Sequence, residues 1–146
     1  MLALEGLIAP PLKALGFKKR ARTWWRHRDE TIQVLNLQKS SFGERLYVNL
    51  GVYVKALETE EFPPEQRCHV QVRLERVVPE ERSLSVASAD SITDPKPELI
   101  SAVLEDGLGW LDQVATYRGL REYIASGGAG KGMVFANLRE LLAAHP

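Results

Sequence analysis

An alternation of apolar and polar residues between Leu46 and Val54 limits most strongly what this chain can fold into. Every second residue from Leu46 onward is Leu or Val, and the residues between them are Tyr47, Asn49, Gly51 and Tyr53. Side chains on a β-strand alternate between its two faces, so one face here would be apolar and the other would carry two phenols and an amide. The sequence therefore predicts a sheet with one buried face and one open face.

Three more segments have strand-like patterns and complete the predicted sheet. The four strands are expected over Phe17–Arg28, Thr31–Lys39, Arg45–Lys55 and residues 68–75. Short turn-like connections favour hairpins, so we expect an antiparallel, four-stranded meander. Within the second strand, the adjacent apolar residues Val34 and Leu35 interrupt the alternation, which suggests a bulge. The proline-containing stretch 58–66 is predicted to be an exposed loop.

The period of the pattern changes from two to about 3.6 in the second half of the chain. Asp94-Pro95 is a helix-start signal, and apolar residues then recur at helical spacing from Ile100 to Val114. Further helical patterns begin at Tyr117 and after the glycine-rich residues 126–130. With an N-terminal helix interrupted at Pro10-Pro11, this predicts a single α+β domain over residues 1–146, its helices packed on one face of the sheet.

Composition excludes several classes of protein. The chain has 146 residues, 45% of them hydrophobic, which suits one domain with its own core. A single cysteine, Cys68, forms no internal disulfide and favours a reducing compartment. No apolar run approaches the roughly 20 residues of a membrane span. We therefore expect a cytoplasmic protein that makes no membrane contact.

The net charge is zero, but the charges are unevenly distributed. Residues 1–55 hold ten Lys or Arg against four Asp or Glu, and residues 56–146 hold nine against fifteen. The basic excess is concentrated around two tryptophans, in Lys18, Lys19, Arg20, Arg22, Trp24, Trp25 and Arg26. Basic residues with aromatic neighbours suit a groove for single-stranded nucleic acid, so nucleic-acid binding is the alternative function. An edge strand with charged residues and core tryptophans explains the same pattern without a ligand.

Catalytic and metal-binding patterns are weak. Cys68 and His69 are neighbours on a predicted strand and point to opposite faces, so they do not form a nucleophile–base pair with each other. The three histidines share no metal-ligand spacing, and Glu105 and Asp106 diverge by about 100° on a helix. We identify no catalytic residue, no metal ligand and no cofactor. An enzyme would need a deep pocket that joins Asn49, Arg73 or His69 to a carboxylate.

The open sheet face is the best candidate for a functional site. Six polar residues are expected there as partner-binding residues: Gln38, Tyr47, Asn49, Tyr53, Gln71 and Arg73. Asn36 and His69 are expected beside them. Tyr and Arg anchor many interfaces because they combine large area with a polar tip. Gly51 would leave a gap in which a flat ligand or a partner backbone fits. We therefore expect a non-catalytic module that binds another protein, although a plain solvated or dimer face fits the same pattern.

Three motifs in order carry a family resemblance. They are Leu15-Gly16-Phe17 with the basic run to Arg26, Asn36–Ser41, and Tyr47–Val52. Over residues 12–55 the chain resembles the bacterial domain-of-unknown-function family 4304. The resemblance implies no established activity and no catalytic residue. Small domains of this kind sometimes occur as immunity or accessory proteins in bacterial toxin systems. Such a role is expected here only by analogy with domains of similar type.

Overall fold

A six-stranded antiparallel sheet forms the centre of the computed structural model, which describes residues 2–41, 45–87 and 94–145. The strands follow one another in the sheet in chain order. They are β1 (Lys18–Arg20), β2 (Thr23–His27), β3 (Thr31–Lys39), β4 (Leu46–Val54), β5 (Val70–Arg73) and β6 (Met133–Val134). The meander predicted from the sequence is thus present, but the prediction of four strands is wrong.

Two features account for the additional strands. The predicted first strand is a hairpin, because the chain reverses between Arg20 and Thr23, which pair with each other. Ala21 in this turn has a φ of +53°, in the left-handed region that Gly or Asn usually occupies. Because an alanine stands there, the turn could not be recognised from the sequence. The sixth strand has only two residues, Met133 and Val134, and pairs with β5 far away in sequence.

The helices precede the sheet, follow it and pack against its inner face. Their bounds are α1 (Ala3–Ala14), α2 (Glu80–Ala87), α3 (Pro97–Ser101), α4 (Leu108–Gln113), α5 (Tyr117–Ala125) and α6 (Ala136–Ala144). The main core joins the inner-facing residues of the strands to the apolar sides of the helices, with Trp24, Leu35, Leu50, Leu111 and Leu120 buried at its centre. The α+β architecture with an N-terminal helix and C-terminal helices is therefore confirmed.

Two helical segments differ from what the sequence predicts. Helix α1 runs through Pro10 and Pro11 without the predicted interruption. Between α3 and α4 the helix widens into a π-helical turn, Ala102–Gly107. Such turns are rare and are often found at functional sites. No helix among the described residues is long and apolar enough to cross a membrane.

The helical half of the chain is bound to the sheet by polar contacts across long sequence separations. The Asp112 carboxylate accepts hydrogen bonds from Arg26 (2.8 Å), Gln33 (3.0 Å) and Arg28 (3.1 Å). Nearby, the Thr31 hydroxyl donates to the carbonyl oxygen of Ala115 at 2.7 Å. These contacts fix the end of α4 against β2 and β3.

The outer face of the sheet divides into two halves. One half, the covered half, is formed by Trp25, Ile32, Val34 and Tyr53 and lies beneath residues 55–69, the covering segment. This segment contributes Phe62 and the buried Cys68. The loop predicted at 58–66 is therefore present and partly exposed, but it also packs on the sheet, which the prediction missed. Val34 and Leu35 are adjacent apolar residues because both faces are covered here. The pairing of β3 with β4 is unbroken, without the predicted bulge.

Candidate functional site

The other half of the outer face, the open half, brings together most of the polar residues predicted for the site. Strand pairing aligns Asn36, Asn49 and Arg73 in one row across β3, β4 and β5. Gln38 pairs with Tyr47 in the neighbouring row on the same face. Side chains of paired residues point to the same side of a sheet, so the sequence pattern placed these residues correctly.

Side-chain amides form a connected row on the open half. The Asn49 amide nitrogen donates to Asn36 Oδ1 at 3.2 Å and to Gln38 Oε1 at 3.0 Å. Asn36 in turn donates to the Thr23 hydroxyl at 2.9 Å. Asn49 is 94% buried by these neighbours, whereas Gln38 is exposed. The Gln38 oxygen is therefore engaged by Asn49 within the row.

Arg73 lies over an aromatic side chain beside this row. Its guanidinium carbon is 3.7 Å from the centroid of the Tyr47 ring, a close cation–π contact. No carboxylate of the described residues is within ion-pair distance of Arg73. Glu65 is farther away. Its burial raises the pKa of that carboxyl, and the charge of Arg73 offsets part of the increase. Within the described part of the chain, the Arg73 guanidinium therefore has an aromatic contact but no carboxylate partner.

These residues form the floor of a groove of about 520 Å³, the sheet groove. The described residues that line it are Gln38, Asn49, Glu65, Gln71, Val72, Arg73, Glu75, Arg76, Lys131, Gly132 and Met133. They carry three cations and two carboxylates and contain no hydroxyl, thiol or imidazole group. The volume is within the range of small-molecule and peptide-side-chain sites.

The wall formed by residues 131–133 lies unusually close to the floor. A Cβ atom on Gly132 would be 2.1 Å from the backbone oxygen of Gln71, so only glycine fits at this position. Gln71 itself is held in place, since its amide nitrogen donates to the carbonyl oxygens of Gln66 and Cys68, both at 2.9 Å. The groove wall is therefore fixed by backbone contact.

Tyr53 does not belong to the open half, and its predicted accessibility is wrong. Its side chain is fully buried under the covering segment, and its hydroxyl accepts a hydrogen bond from the Glu60 backbone N–H at 2.8 Å. Burial raises the pKa of this phenol. A tyrosine satisfies an alternating pattern equally well when it is buried with its hydroxyl bonded, which is why the pattern misplaced it.

His69 was expected beside Gln71 and Arg73 but is completely buried. Its Nδ1 accepts a hydrogen bond from the Val54 backbone N–H at 2.9 Å, and its ring packs against Tyr53 and Phe135. Burial lowers the pKa of His69 below its ordinary 6.5, and the Glu58 carboxylate at 3.7 Å offsets part of that decrease. The residue is a neutral core histidine.

The gap expected at Gly51 is filled by the chain itself. A Cβ atom on Gly51 would be 2.7 Å from Cys68 Sγ, so the cysteine occupies the space that the glycine leaves. Cys68 thus packs on the outer face, whereas Val70 and Val72 belong to the main core on the inner face. Burial, with the charges of Glu65 and Glu60, raises the pKa of the thiol well above its ordinary value. The thiol is therefore protonated and inert at neutral pH.

The basic, tryptophan-containing strand is a hairpin with largely internal contacts. Trp24 is 99% buried and Trp25 is 93% buried, with the Trp25 indole donating to the Pro63 carbonyl oxygen at 2.7 Å. Both tryptophans are thus core residues and present no surface on which a base could stack.

Most of the cations in this hairpin have partners within the chain. Lys19 and Arg22 face the Glu5 carboxylate at 2.8 and 3.8 Å, and Arg26 pairs with Asp112. Lys18 and Arg20 are exposed on β1. Arg20 stacks over Phe62. Nucleic-acid binding by this hairpin stays a prediction, but stacking of bases on Trp24 and Trp25 is no longer part of it.

Glu5 shows how strongly these internal pairs act. Burial alone would raise the pKa of this carboxyl. The hydrogen bonds from Lys19 and from the Leu2 backbone N–H, with the charges of Lys19 and Arg22, outweigh burial and hold the pKa below 4.5. The basic excess of the first half thus serves partly to stabilise the N-terminus of α1.

Sequence reasoning missed the residues that make the open half concave. Glu75 and Arg76 lie in a short 3₁₀ turn, Leu74–Arg76, after β5. Lys131 and Met133 come from a segment more than fifty residues farther along the chain. The one hint of this wall in the sequence is Gly132, because a glycine permits a close backbone contact. It stands in a glycine-rich stretch that looks like a turn between two helices. Among the described residues, no group of three or more His, Cys, Asp or Glu is placed to hold a metal ion.

Fold and site together define a class: an α+β domain whose antiparallel meander is covered by helices on its inner face and carries a polar groove on its outer face. The chain matches the family model described as "Domain of unknown function (DUF4304)" over residues 8–113. It belongs to that family, and the resemblance seen at residues 12–55 is confirmed and extends over most of the chain. Comparison with curated proteins and with solved structures finds no match.

The family match ends before several residues of the site. Lys131, Gly132 and Met133, together with β6, lie beyond residue 113. The floor of the sheet groove thus belongs to the matched region, and one of its walls lies outside that region.

Proposed function

We propose that this protein is a non-catalytic binding module whose sheet groove takes an acidic segment of a protein partner. The observation that carries the proposal is Arg73. Its guanidinium carbon lies 3.7 Å from the centroid of the Tyr47 ring, and it has no carboxylate partner among the described residues. A guanidinium oriented in this way presents a planar fork of donors, which matches a carboxylate bidentately.

The charges around Arg73 favour an anionic occupant. Arg76 and Lys131 line the same groove, and neither makes an ion pair with a described residue. Glu65 and Glu75 oppose an excess of negative charge, which favours a segment with one or two carboxylates over a polyanion. Such a distribution fits an acidic peptide better than a nucleic-acid backbone.

The amide row supports a peptide as the occupant. Gln38 and Gln71 both line the groove, so its floor carries side-chain amides, which can pair with peptide groups. A cytoplasmic, bacterial setting, predicted from the single cysteine and from the family resemblance, is the context of the proposal. An immunity-type or accessory role is one setting in which such a module would act.

The test uses a synthetic array of capped peptides that contain Asp or Glu, each matched by the same peptide with Asn or Gln. We expect acidic peptides to shift the side-chain amide resonances of Gln38 and Gln71 in ¹H–¹⁵N spectra of the full chain. Arg73→Gln removes charge-assisted hydrogen bonds worth about 1.5–3 kcal/mol, so affinity should fall about tenfold to hundredfold.

Arg139→Gln is the matched control, because Arg139 is exposed on α6 and removes the same charge away from the groove. It should leave peptide affinity nearly unchanged. Equal losses in the two variants would show that only net charge matters. Binding of the neutral peptides with the same affinity, or no binding of any acidic peptide, would overturn the proposal.

A further inference from the structure

Helix α1 is apolar on its solvent-facing side as well as on its buried side. Leu4 and Leu12 are fully buried in the main core. The opposite side carries Leu7, Pro10 and Ala14, which are exposed and recur at helical spacing. A surface helix of a globular protein normally turns charged and polar residues to the solvent. The outer side of α1 therefore lacks the polar face that a purely structural helix would have.

Exposed leucines are concentrated on this helix. Among the described residues, three large apolar side chains are exposed, and two of them are Leu7 (49%) and Leu15 (48%), the residue that ends α1. Of the two charged residues of α1, Glu5 is buried and Lys13 lies at the border of this side. We name as the outer patch the exposed residues Gly6, Leu7, Pro10, Ala14 and Leu15. An exposed apolar patch is typical of a surface that contacts a partner or a membrane.

Lysines without carboxylate partners lie beside the outer patch. A cleft of about 450 Å³ separates α1 from the first hairpin, and the described residues that line it are Ala9, Lys13, Phe17, Lys18, Lys19 and Trp24. Lys19 is neutralised by Glu5 at 2.8 Å. Neither Lys13 nor Lys18 makes an ion pair with a described residue. The border of the outer patch is thus positively charged, which complements an anionic surface.

Leucine bordered by lysine fits a lipid bilayer better than it fits a folded protein. Protein interfaces are depleted in lysine, and leucine is under-represented among the residues that dominate their binding energy. Helices that lie in the plane of a membrane instead combine apolar residues such as leucine on one side with lysine beside them. Lysine suits this border because its methylene chain lies along apolar surface while its ammonium group reaches the lipid phosphates.

From these observations we infer that the outer patch binds the surface of an anionic phospholipid bilayer. Leu7 and Leu15 would enter the boundary between headgroups and acyl chains, and Lys13 and Lys18 would contact lipid phosphates. With 12 residues, α1 is about 18 Å long, too short to span a bilayer, so it would lie in the membrane plane. This inference departs from the absence of membrane contact expected from the sequence. It is independent of the sheet groove, which no residue of α1 lines.

Co-sedimentation of the full chain with lipid vesicles tests the inference. One set of vesicles contains phosphatidylcholine alone, and the other contains equal parts of phosphatidylcholine and phosphatidylglycerol. The protein should sediment with the mixed vesicles and much less with the neutral ones. The bound fraction should fall as salt rises, because counterions screen the attraction between lysine and phosphate. No sedimentation with the mixed vesicles at low salt would overturn the inference.

Substitutions separate the apolar contribution from the charged one. Leu7→Ser combined with Leu15→Ser should weaken binding to the mixed vesicles by about tenfold or more, and the fold should tolerate it because both side chains are already exposed. Lys13→Gln and Lys18→Gln should each weaken binding about fivefold. Arg139→Gln removes one positive charge at an exposed position of α6 and should change binding little. All these variants should bind acidic peptides as the wild type does.

A dye attached within the outer patch reports insertion directly. Leu7→Cys supplies a single reactive thiol, because the native Cys68 is buried. An environment-sensitive dye on this thiol should shift its emission to the blue with the mixed vesicles, whereas the same dye on Arg139→Cys should not. Unchanged emission from the first dye, or vesicle binding that the leucine substitutions leave intact, would contradict the inference. A dimer that Leu7→Ser with Leu15→Ser converts to a monomer would assign the patch to a second copy of the chain instead.

Discussion

The covered and open halves of the outer face are built from the same two central strands but have opposite chemistry. Along β3 the outer-facing residues are Ile32 and Val34 in the covered half, then Asn36 and Gln38 in the open half. The covering segment lies over the apolar part and leaves the polar part accessible. A single sheet face therefore holds both a second small core and a groove. The boundary between them lies between Val34 and Asn36 of β3.

The largest expected difference between the two halves is in the free energy of unfolding when a large aromatic side chain is removed from each. Trp25→Ala removes a buried ring and the hydrogen bond that anchors Pro63, so the free energy of unfolding should fall by about 3–5 kcal/mol. Tyr47→Ala, in the open half, should cost no more than about 1 kcal/mol. Urea denaturation measures both, and equal losses would contradict the division into two halves.

A smaller effect is expected from adding a methyl group where the covering segment meets the sheet. In Gly51→Ala the new Cβ atom would be 2.7 Å from Cys68 Sγ, and overpacking of this kind costs about 1–3 kcal/mol. We also expect Cys68, unreactive in the wild type, to react with a thiol reagent under native conditions. Gly109→Ala is the control, because nothing lies within 4 Å of its added Cβ atom. An unreactive Cys68 in Gly51→Ala would show that the contact is easily relieved.

The smallest effect is a pH dependence that originates in the covered half. The pKa of His69 is lowered by burial, so below about pH 6.5 the unfolded chain binds a proton that the folded chain does not. Stability should therefore fall as pH decreases from 6.5 toward the lowered pKa, by at most about 1.4 kcal/mol per pH unit.

The contribution of His69 is the difference between wild type and His69→Asn, measured by thermal denaturation from pH 7.5 downward. His69→Asn should lose this slope, whereas the wild type and His27→Gln should keep it, because both retain the buried His69. Identical slopes in wild type and His69→Asn would mean that other groups titrate.

Local patterns predicted much of the sheet and the floor of the groove. The bounds of β3 agree with the prediction, and the rows that join Gln38 to Tyr47 and Asn49 to Arg73 follow from alternation and antiparallel pairing. Alternation reports only which side chains share a face. It does not report which part of that face another segment will cover.

The remaining features depend on contacts between distant segments. The covering segment is rich in proline and glutamate, so its burial of Tyr53 rests on a few residues such as Phe62 and Cys68. The groove wall at Gly132 requires the C-terminal segment to return to β5. No local period carries that information. The π-helical turn could not be predicted either, because the apolar pattern was compared with the 3.6-residue period of a regular α-helix.

The long-range contacts of Asp112 and Ala115 also have a consequence for synthesis on the ribosome. Strands β1–β5 are complete at Arg73, but most of the helices that cover their inner face come from the 71 residues between Leu74 and Ala144. At about 5–20 residues per second, this segment takes roughly 4–14 s to emerge. During that interval a nascent sheet exposes the apolar side chains of its inner face. We expect chaperones that bind hydrophobic segments to recognise the chain during this interval, until its final helices cover that face.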